Sequence, residues 1–331
     1  MPLFAQNYLA NVKFYNYENG LAGRFANCTF KDSRGIIWIG TQFGLNRFDG
    51  RDFLLFSEAS GLPFNQVMEI YEDSEGWLWL FRSCKSKRSC IRNLAFLHSV
   101  THEILTFEDR FGAEPGFEPE DVLSIISNEK KEIFWSANKT VFHWKDGKIN
   151  QKADLKDWEE TPHLLSVLTG KKLAGWYQTN SEIGKKTLEY RVFDMDGKIH
   201  YAEPPPFWDK DEREHTLELI GTDYSGKTII ENGWFYHQDK SNLVLQKDGK
   251  LTFDTSDWSG FTKTQNYGYN PYRPEIWQTI GGADGKAGLY LFAPEKGLVY
   301  DFGKEFPEFN STLSNRQIRF DEHDVTWLSG R

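Results

Sequence analysis

A turn that recurs about every 51 residues constrains the fold of this chain more than any other feature. Short apolar runs flank aspartate and glycine in segments such as RFDGRDF and FDMDGKI, and the glycines stand at positions 50, 147, 197, 249 and 303. Asp-Gly pairs between apolar strands favour tight hairpins, because glycine adopts a positive φ without steric cost. The wide first gap covers two periods, with a turn that lacks glycine near Thr101. One such hairpin per period is therefore predicted.

A second turn precedes the first within each repeat. The segments DSRG (32–35) and DSEG (73–76) lie 41 residues apart, and a tryptophan follows each aspartate at the same distance. Aspartate can bond the backbone two residues on, and glycine takes the left-handed position of such a turn. Two hairpins give four strands per repeat. In the first repeat we predict strands over 27–31, 36–41, 45–48 and 52–56.

Four-stranded units repeated six or seven times predict an all-β fold, the β-propeller, in which each unit is one blade around a central channel. Four tryptophans occupy one place, in or near the second strand of a repeat: Trp38, Trp79, Trp135 and Trp176. We expect their side chains to fill the space between neighbouring blades. The strands of the sixth repeat are predicted at 275–280, 288–292, 298–302 and 305–309.

The two ends of the chain complement each other. VKFYNY (12–17) is typical of a fourth strand without the first three, and 316–331 is typical of two strands with nothing after them. Placed in one sheet, the two ends close the ring and leave no open sheet edge between the first and last blades. The sequence therefore predicts a seven-bladed β-propeller. Its last blade is a composite of N- and C-terminal strands and is incomplete.

Composition and charge exclude some classes of protein and bound the domain organisation. The net charge of -9 argues against a nucleic-acid partner, because phosphate binding needs a basic field. No run of 18 apolar residues occurs, so no segment has the length and hydropathy of a membrane span. We interpret residues 1–10 as a candidate signal-peptide remnant. Residues 11–331 are interpreted as a single propeller, a truncated piece of a longer protein, since the chain ends inside a hairpin.

Two stretches of the sequence resemble the two-component regulator propeller repeat. They are GLAGRFANCTFKDSRGIIWIGTQFGLNRFDGRDFLLF and GLPFNQVMEIYEDSEGWLWLF, and the close similarity covers roughly residues 18 to 80. The residues that carry it at the start of the pattern are Gly61, Leu62, Pro63 and Asn65. Those that carry it at the end are Trp38, Ile39, Gly40, Thr41, Gly44, Leu45, Arg47, Phe48, Asp49 and Gly50.

The resemblance implies the periplasmic sensor region of a membrane-anchored bacterial sensor histidine kinase or hybrid two-component protein. In that family an immunoglobulin-like domain, a transmembrane helix and a cytoplasmic kinase follow the propeller. The chain itself is then a non-catalytic, periplasmic ligand sensor. Its expected partners are an unidentified small molecule or oligosaccharide, the remaining domains of the same polypeptide, and a second copy in a homodimer of the full-length protein.

Two other functions stay open from the sequence. One is a protein-docking or structural propeller, and the other is a glycan-cleaving, sialidase-like propeller enzyme. Sialidase-type repeats also contain an acid, a glycine and a tryptophan, but there the acid stands two residues before the glycine, whereas here it stands three before. The sequence contains no catalytic motif and no cofactor motif. His98 and His102 have a zinc-like spacing without a third ligand nearby, so no metal site is predicted.

A ligand is expected on the propeller face that carries the loops from the fourth strand to the next first strand and from the second strand to the third. These loops share one face because successive strands alternate in direction. Aromatic and amide groups mixed with arginine suit sugars or acidic oligosaccharides. The candidate ligand-binding residues on this face are Arg24, Asn27, Gln42, Phe43, Asn65, Gln66, Arg82, Asn138, Tyr177 and Trp234.

Cys84 and Cys90 are a candidate disulfide in the loop RSCKSKRSCIR. The loop connects the predicted second and third strands of the second repeat, and the ends of such a hairpin lie within disulfide reach of each other. The cations of the loop favour thiolate formation, and an oxidising periplasm would preserve the bridge. Cys28, in the first strand of its repeat, is expected to be an unbridged, buried thiol.

Overall fold

The computed structural model describes residues 11–83, 91–112, 116–180, 186–202, 216–223, 225–233, 241–253, 267–280, 288–293, 297–306, 315–320 and 325–330. Over these residues the protein is almost entirely β-structure. The strands form six four-stranded antiparallel sheets and one two-stranded sheet, and all sheets contain strands that are consecutive in the chain.

The first three sheets, blades 1 to 3, contain twelve strands. Blade 1 comprises β1 Ala26–Lys31, β2 Ile37–Thr41, β3 Leu45–Phe48 and β4 Phe53–Phe56. Blade 2 comprises β5 Glu69–Glu72, β6 Trp77–Arg82, β7 Asn93–His98 and β8 Ile104–Leu105. Blade 3 comprises β9 Val122–Ser127, β10 Ile133–Ala137, β11 Thr140–Lys145 and β12 Lys148–Asp154.

The second half of the chain forms blades 4 to 6 and the two-stranded sheet. Blade 4 comprises β13 His163–Leu168, β14 Lys172–Asn180, β15 Lys186–Asp194 and β16 Ile199–Tyr201. Blade 5 comprises β17 Thr216–Thr222, β18 Thr228–Gly233, β19 Ser241–Leu245 and β20 Leu251–Phe253. Blade 6 comprises β21 Tyr267–Tyr269, β22 Ile276–Ile280, β23 Gly288–Ala293 and β24 Gly297–Asp301. The two-stranded sheet comprises β25 Asn315–Phe320 and β26 Thr326–Gly330.

Helical structure in the described part of the chain is short. One α-helix, α1, spans Phe107–Phe111 after blade 2. Single turns of 3-10 helix span Tyr17–Asn19, Glu58–Ser60, Pro119–Asp121, Thr169–Lys171 and Phe302–Lys304. None of the described helices is long and apolar enough to cross a membrane.

The first strands of successive sheets form a closed ring. β1 contacts β5, and the contacts continue through β9, β13, β17 and β21. β25 of the two-stranded sheet contacts both β21 and β1, so this sheet occupies the position between blade 6 and blade 1. The fold is therefore a β-propeller, as the sequence predicts, with a partial sheet at the closing position.

The predicted number of seven blades is wrong, because the described residues form six four-stranded blades. The seventh position holds two strands from the C-terminal part of the chain, and the expected N-terminal strand is not formed by the described residues of VKFYNY. This segment nevertheless packs beside the closing sheet. Tyr15 lies in one apolar cluster with Trp327, and Val12 lies in another with Leu328. Residues near the two ends of the chain therefore contact each other through side chains, where backbone hydrogen bonds between strands were expected.

The predicted strands of the sixth repeat are displaced by one position. Residues 276–280 form the second strand of blade 6, and the first strand is the unpredicted segment β21. The glycine at position 303 does not make the hairpin between the third and fourth strands, since it lies in a 3-10 turn after β24. The third and fourth strands instead begin to pair at Ala293 and Gly297, and Gly297 has a left-handed φ of 69°. The strands were assigned one place too early because the sequence between β23 and β24 has no Asp-Gly pair.

The four tryptophans lie in second strands, as the sequence predicts, but they do not share one position. The turn that Asp32 and Ile36 close in blade 1 is closed by Asn128 and Glu132 in blade 3, so the residue after Phe134, Trp135, faces the opposite way. Trp38, Trp79 and Trp135 are fully buried, Trp176 is nearly so, and they stand in β2, β6, β10 and β14. Trp79 and Trp135 belong to one cluster of apolar side chains that fills the space between blades 2 and 3. Burying aromatic surface between twisted sheets supplies most of the stabilisation of such a fold.

Candidate functional site

The face predicted to bind a ligand carries an exposed aromatic patch on blade 1. Tyr17 and Phe43 are 53% and 52% exposed, and the guanidinium of Arg24 lies over the Tyr17 ring at 5.3 Å from its centroid. We call Tyr17, Arg24, Phe25, Gln42 and Phe43 the blade 1 patch. All five side chains are exposed to solvent.

Local backbone structure positions the two aromatic rings of the patch. Tyr17 begins a 3-10 turn that Asn16 caps by accepting a hydrogen bond from the Glu18 amide at 2.9 Å. Phe43 follows β2, and its amide donates to Thr41 Oγ1 at 3.1 Å. The Phe43 ring covers Gly23 so closely that a Cβ there would meet it at 3.0 Å. Rings held in this way lose little conformational freedom when a ligand stacks on them.

Two other predicted residues on this face serve the scaffold. Asn27 is buried, and its Nδ2 donates to the carbonyl of Val67 at 3.1 Å, so the amide joins blade 1 to the chain entering blade 2. Asn65 accepts a hydrogen bond from the amide of Glu58 at 2.9 Å, which caps a 3-10 turn. The remaining amide in that loop, Gln66, is half-buried.

Blades 3 and 4 contribute two predicted residues of different character. Asn138 is exposed and has a left-handed φ of 47°, and its Nδ2 donates to Asp121 at 2.7 Å. Tyr177 is buried, and burial raises the pKa of its hydroxyl. The guanidinium of Arg191 lies 4.8 Å from the Trp158 ring and 5.3 Å from the Tyr177 ring. Tyr177 therefore belongs to a stacked group that packs blade 4 against blade 3.

Cationic groups gather where blade 2 meets the same face. Arg82 ends β6, and its Nε is buried without a hydrogen-bond partner among the described residues. Arg92 lies just before β7, and burial lowers the pKa of its guanidinium. Burial and the charge of Arg92 together lower the pKa of His163 to about 4, so this histidine is neutral at pH 7. Partly desolvated cations favour an anionic group nearby.

Three predicted residues lie outside the described part of the chain: Trp234, Cys84 and Cys90. The disulfide therefore stays a prediction. Cys28 is a buried thiol in β1, as expected. Its Sγ would lie 2.5 Å from a Cβ added at Gly40, which explains why β2 carries glycine at that position.

No group of three or more potential metal ligands occurs within the described ranges. His98 Nδ1 accepts hydrogen bonds from the amides of Val100 and Thr101, at 3.3 and 3.2 Å, which fixes the turn before β8. His102 lies against the Phe56 ring, 5.1 Å between centroids. The zinc-like spacing of these histidines thus corresponds to a turn and an aromatic contact.

Sequence reasoning missed Tyr17 and Arg191 as members of aromatic–arginine groups. A signal for Tyr17 was present, because NYENGL (16–21) and SEASGL (57–62) stand 41 residues apart, the same offset as the two aspartate turns. Both segments form a capped 3-10 turn that ends at a left-handed glycine. Recognising that repeat places Tyr17 in a turn on the loop face instead of in a strand.

The structure is a β-propeller with a candidate binding surface on its loop face. A family of propeller repeats matches the sequence of its first repeat. The model of the family described as "Two component regulator propeller" matches residues 20–43, which contain four members of the blade 1 patch. The resemblance seen in the sequence is thereby confirmed for this repeat. No curated protein sequence matches the chain significantly.

Two solved structures from B. thetaiotaomicron share the fold. One is the extracellular domain of a putative hybrid two-component system, with 14% identity, a TM-score of 0.57, and coverage of 98% of this chain and 42% of that one. The other is described as the extracellular domain of a putative one-component system, with 13% identity, a TM-score of 0.53, and coverage of 92% and 39%. The chain thus spans about two fifths of the length of these structures.

Proposed function

We propose that this chain is the extracytoplasmic, non-catalytic ligand-sensing propeller of a two-component signal-transduction protein, and that it binds a small molecule or glycan at the blade 1 patch. One observation carries the proposal. Two half-exposed aromatic rings and an exposed arginine stand together on the loop face of the propeller, held by backbone turns. Exposed aromatic rings of this kind offer large rigid contact area to a ligand.

The chemistry of the patch favours a sugar ligand. The faces of Tyr17 and Phe43 can stack on the apolar C–H faces of pyranose rings. Arg24 supplies a fork of donors for hydroxyl or carboxylate oxygens, and the amide of Gln42 supplies one donor group and one acceptor. Partly desolvated Arg82 and Arg92 on the same face favour an acidic oligosaccharide over a neutral one.

The family match supports the place of the chain in signalling. The matched repeat belongs to two-component regulator propellers, and both structural neighbours are extracellular domains of putative signalling proteins. We therefore place the chain in the periplasm as part of a longer membrane-anchored sensor whose output domain is a histidine kinase. The ligand would act by stabilising one of two arrangements of that sensor, which shifts the population of the active kinase.

A thermal-shift screen tests the proposal. Neutral and acidic oligosaccharides and small metabolites are added to the full chain, since a ligand that binds the native state raises the melting temperature. Phe43→Ala should lower the affinity for a hit at least about tenfold, or about 1.4 kcal/mol, because the stacking surface is lost.

The matched control is Tyr272→Ala. Tyr272 is an aromatic residue of similar exposure, 54%, but it lies between β21 and β22 on the opposite face. Its substitution should leave the affinity unchanged. Equal losses in both variants, or the absence of any ligand that raises the melting temperature, would contradict binding at the blade 1 patch.

A further inference from the structure

Exposed apolar side chains concentrate in blade 1 and in the segment that precedes it. Of the thirteen large apolar residues exposed in the described structure, six lie between residues 14 and 55: Phe14, Tyr17, Phe25, Phe43, Leu54 and Leu55. The blade 1 patch accounts for three of them on the loop face. Leu54 and Leu55 are 44% and 42% exposed and lie on β4, the outermost strand of the blade. The proposed ligand site leaves these two leucines unexplained.

The edge of β4 lacks the usual protection against pairing with another strand. Within the described structure β4 pairs only with β3, so its outer backbone groups face no further strand. Its sequence, FLLF, contains no charge and no proline. The outermost strand of blade 3, β12, shows the protected form, because its exposed positions include Lys148, Lys152 and Asp154. Charged side chains on an edge strand prevent sheet extension, whereas an exposed apolar edge promotes it.

We infer that two copies of this chain associate by antiparallel pairing of their β4 strands about a two-fold axis, which joins two blades 1 into one eight-stranded sheet. A two-fold axis perpendicular to the sheet keeps corresponding faces of the two blades on the same side. In an antiparallel pair, residues directly opposite each other point to the same face of the sheet. The two-fold axis therefore passes between one residue and the same residue of the other copy. The pairing is therefore centred on Leu54 or on Leu55.

Charge selects between the two registers. Centred on Leu55, the pairing places Asp52 opposite Glu58 of the other copy, and like charges opposite each other destabilise a sheet. Centred on Leu54, it places Leu54 opposite its own copy and Phe53 opposite Leu55, so all three central pairs are apolar. The same register brings Arg51 of one copy opposite Ser57 and next to Glu58 of the other. Arg51 and Glu58 are both exposed, so they are available for this contact.

The interface is small and the association is correspondingly weak. Four residues per strand bury less area than a standard stable interface, so we expect a weak association that depends on concentration. This association is independent of ligand binding, because Leu54 is not part of the blade 1 patch. A failure of either proposal leaves the other standing.

Sedimentation velocity of the full chain from about 5 µM to about 500 µM tests the association. Wild type should shift from monomer to dimer across this range. Leu54→Lys should weaken dimerisation at least about tenfold, because a charge is placed at the centre of the apolar pairs. The control is Leu298→Lys, since Leu298 is an exposed leucine on β24, the outermost strand of blade 6. This variant should dimerise like wild type.

Charge reversal and cross-linking test the register. Arg51→Glu should weaken the dimer about threefold or more, and the double variant Arg51→Glu with Glu58→Arg should restore it. Leu54→Cys should form an intermolecular disulfide on mild oxidation, whereas Leu298→Cys should not, because directly opposite residues of paired strands lie within disulfide reach. A wild-type chain that stays monomeric throughout, or a dimer that persists in Leu54→Lys, would overturn the inference. A dimer that cross-links through Leu298→Cys would also overturn it.

Discussion

Blades 1 and 2 hold their central tryptophans differently from blades 3 and 4. In blade 1, Asp32 Oδ2 accepts a hydrogen bond from Trp38 Nε1 at 3.0 Å, and in blade 2 Asp73 Oδ2 accepts one from Trp79 Nε1 at the same distance. In blades 3 and 4 the indole N–H groups of Trp135 and Trp176 are buried and have no hydrogen-bond partner among the described residues. The buried tryptophans of the second strands are thus held in two ways.

The aspartate in the first two blades organises a complete turn. Its other oxygen, Oδ1, accepts two backbone amides, those of Arg34 and Ile36 in blade 1, each at 2.9 Å. A single carboxylate thereby fixes the turn between the first two strands and orients the buried indole. The family match covers the Asp32–Trp38 turn of blade 1, so there the matched pattern corresponds to a hydrogen-bonded unit and not only to a spacing.

In blades 3 and 4 the buried tryptophan stacks on a neighbouring ring instead. Trp135 lies parallel to Phe142, with 5.1 Å between ring centroids and 7° between planes. Trp176 lies against His163 at 4.5 Å and 17°. The turn of blade 3 has asparagine, Asn128, in place of the aspartate; its Oδ1 accepts two backbone amides and makes no hydrogen bond to the indole of Trp135. Asn128 stands seven residues before Trp135, whereas Asp32 and Asp73 each stand six residues before their tryptophan. Because strand residues alternate between faces, Trp135 lies on the other face of its blade. The comparison teaches that the Asp–Trp hydrogen bond depends on this six-residue spacing.

The largest expected effect comes from removing the aspartate of blade 2. Asp73 also pairs with Arg110, whose Nη2 lies 2.5 Å from Asp73 Oδ2 and whose side chain is 5% exposed. Asp73→Ala leaves this buried cation without its main counter-ion, so the free energy of unfolding should fall by about 4 kcal/mol. Asp32→Ala should cost about 2 kcal/mol, because its neighbour Arg34 is half-exposed and keeps its solvation. Urea denaturation of both variants measures the difference, and equal losses would break the comparison.

The stacked tryptophan of blade 4 should make stability depend on pH. His163 has its pKa lowered to about 4 in the folded protein, below the ordinary value of 6.5, so its contribution is fully present above pH 6.5. That contribution to the free energy of unfolding, about 3 kcal/mol, is lost as the pH falls from 6.5 to 4. His163→Phe keeps the stacking without the titration. Urea unfolding at pH 7 and pH 4 should show wild type losing more stability than the variant, and parallel losses would contradict the assignment.

The smallest expected effect distinguishes the two kinds of tryptophan directly. Trp79→Phe and Trp135→Phe remove similar volume from fully buried positions. Only the first also removes a hydrogen bond, so Trp79→Phe should cost about 1 kcal/mol more than Trp135→Phe. Thermal unfolding by calorimetry provides the measurement. A larger loss for Trp135→Phe would show that the Asp–Trp bond does not stabilise blade 2.

The sequence predicted the architecture where turns followed the Asp-Gly pattern and misplaced it where they did not. Blade 1 was predicted within a residue of its observed strands, because both of its hairpins carry aspartate and glycine. Blade 6 was displaced by one strand, since its last hairpin ends at Gly297 without an Asp-Gly pair. Closure by six blades and a two-stranded sheet could not be derived, because tertiary packing of Tyr15 replaces a strand pairing that local pattern alone allows.

The candidate site was predictable as a face and less so as a set of residues. Strand alternation placed Arg24, Gln42 and Phe43 on one face without knowledge of the packing. It could not show that the amide of Asn27 donates a hydrogen bond to the chain entering blade 2. Nor could it show that Trp158 and Arg191 cover Tyr177. Burial of a loop residue depends on the neighbouring blade, which no single repeat encodes.

Calorimetric titration of the best acidic oligosaccharide into the full chain tests the central claim, binding without turnover at the blade 1 patch, most directly. We expect a saturating isotherm with one ligand per chain, at least about tenfold weaker binding by Phe43→Ala, and chemically unchanged ligand recovered afterwards and identified by mass spectrometry. Cleaved ligand, or an isotherm that Phe43→Ala leaves unchanged, would contradict a non-catalytic sensor that uses this patch.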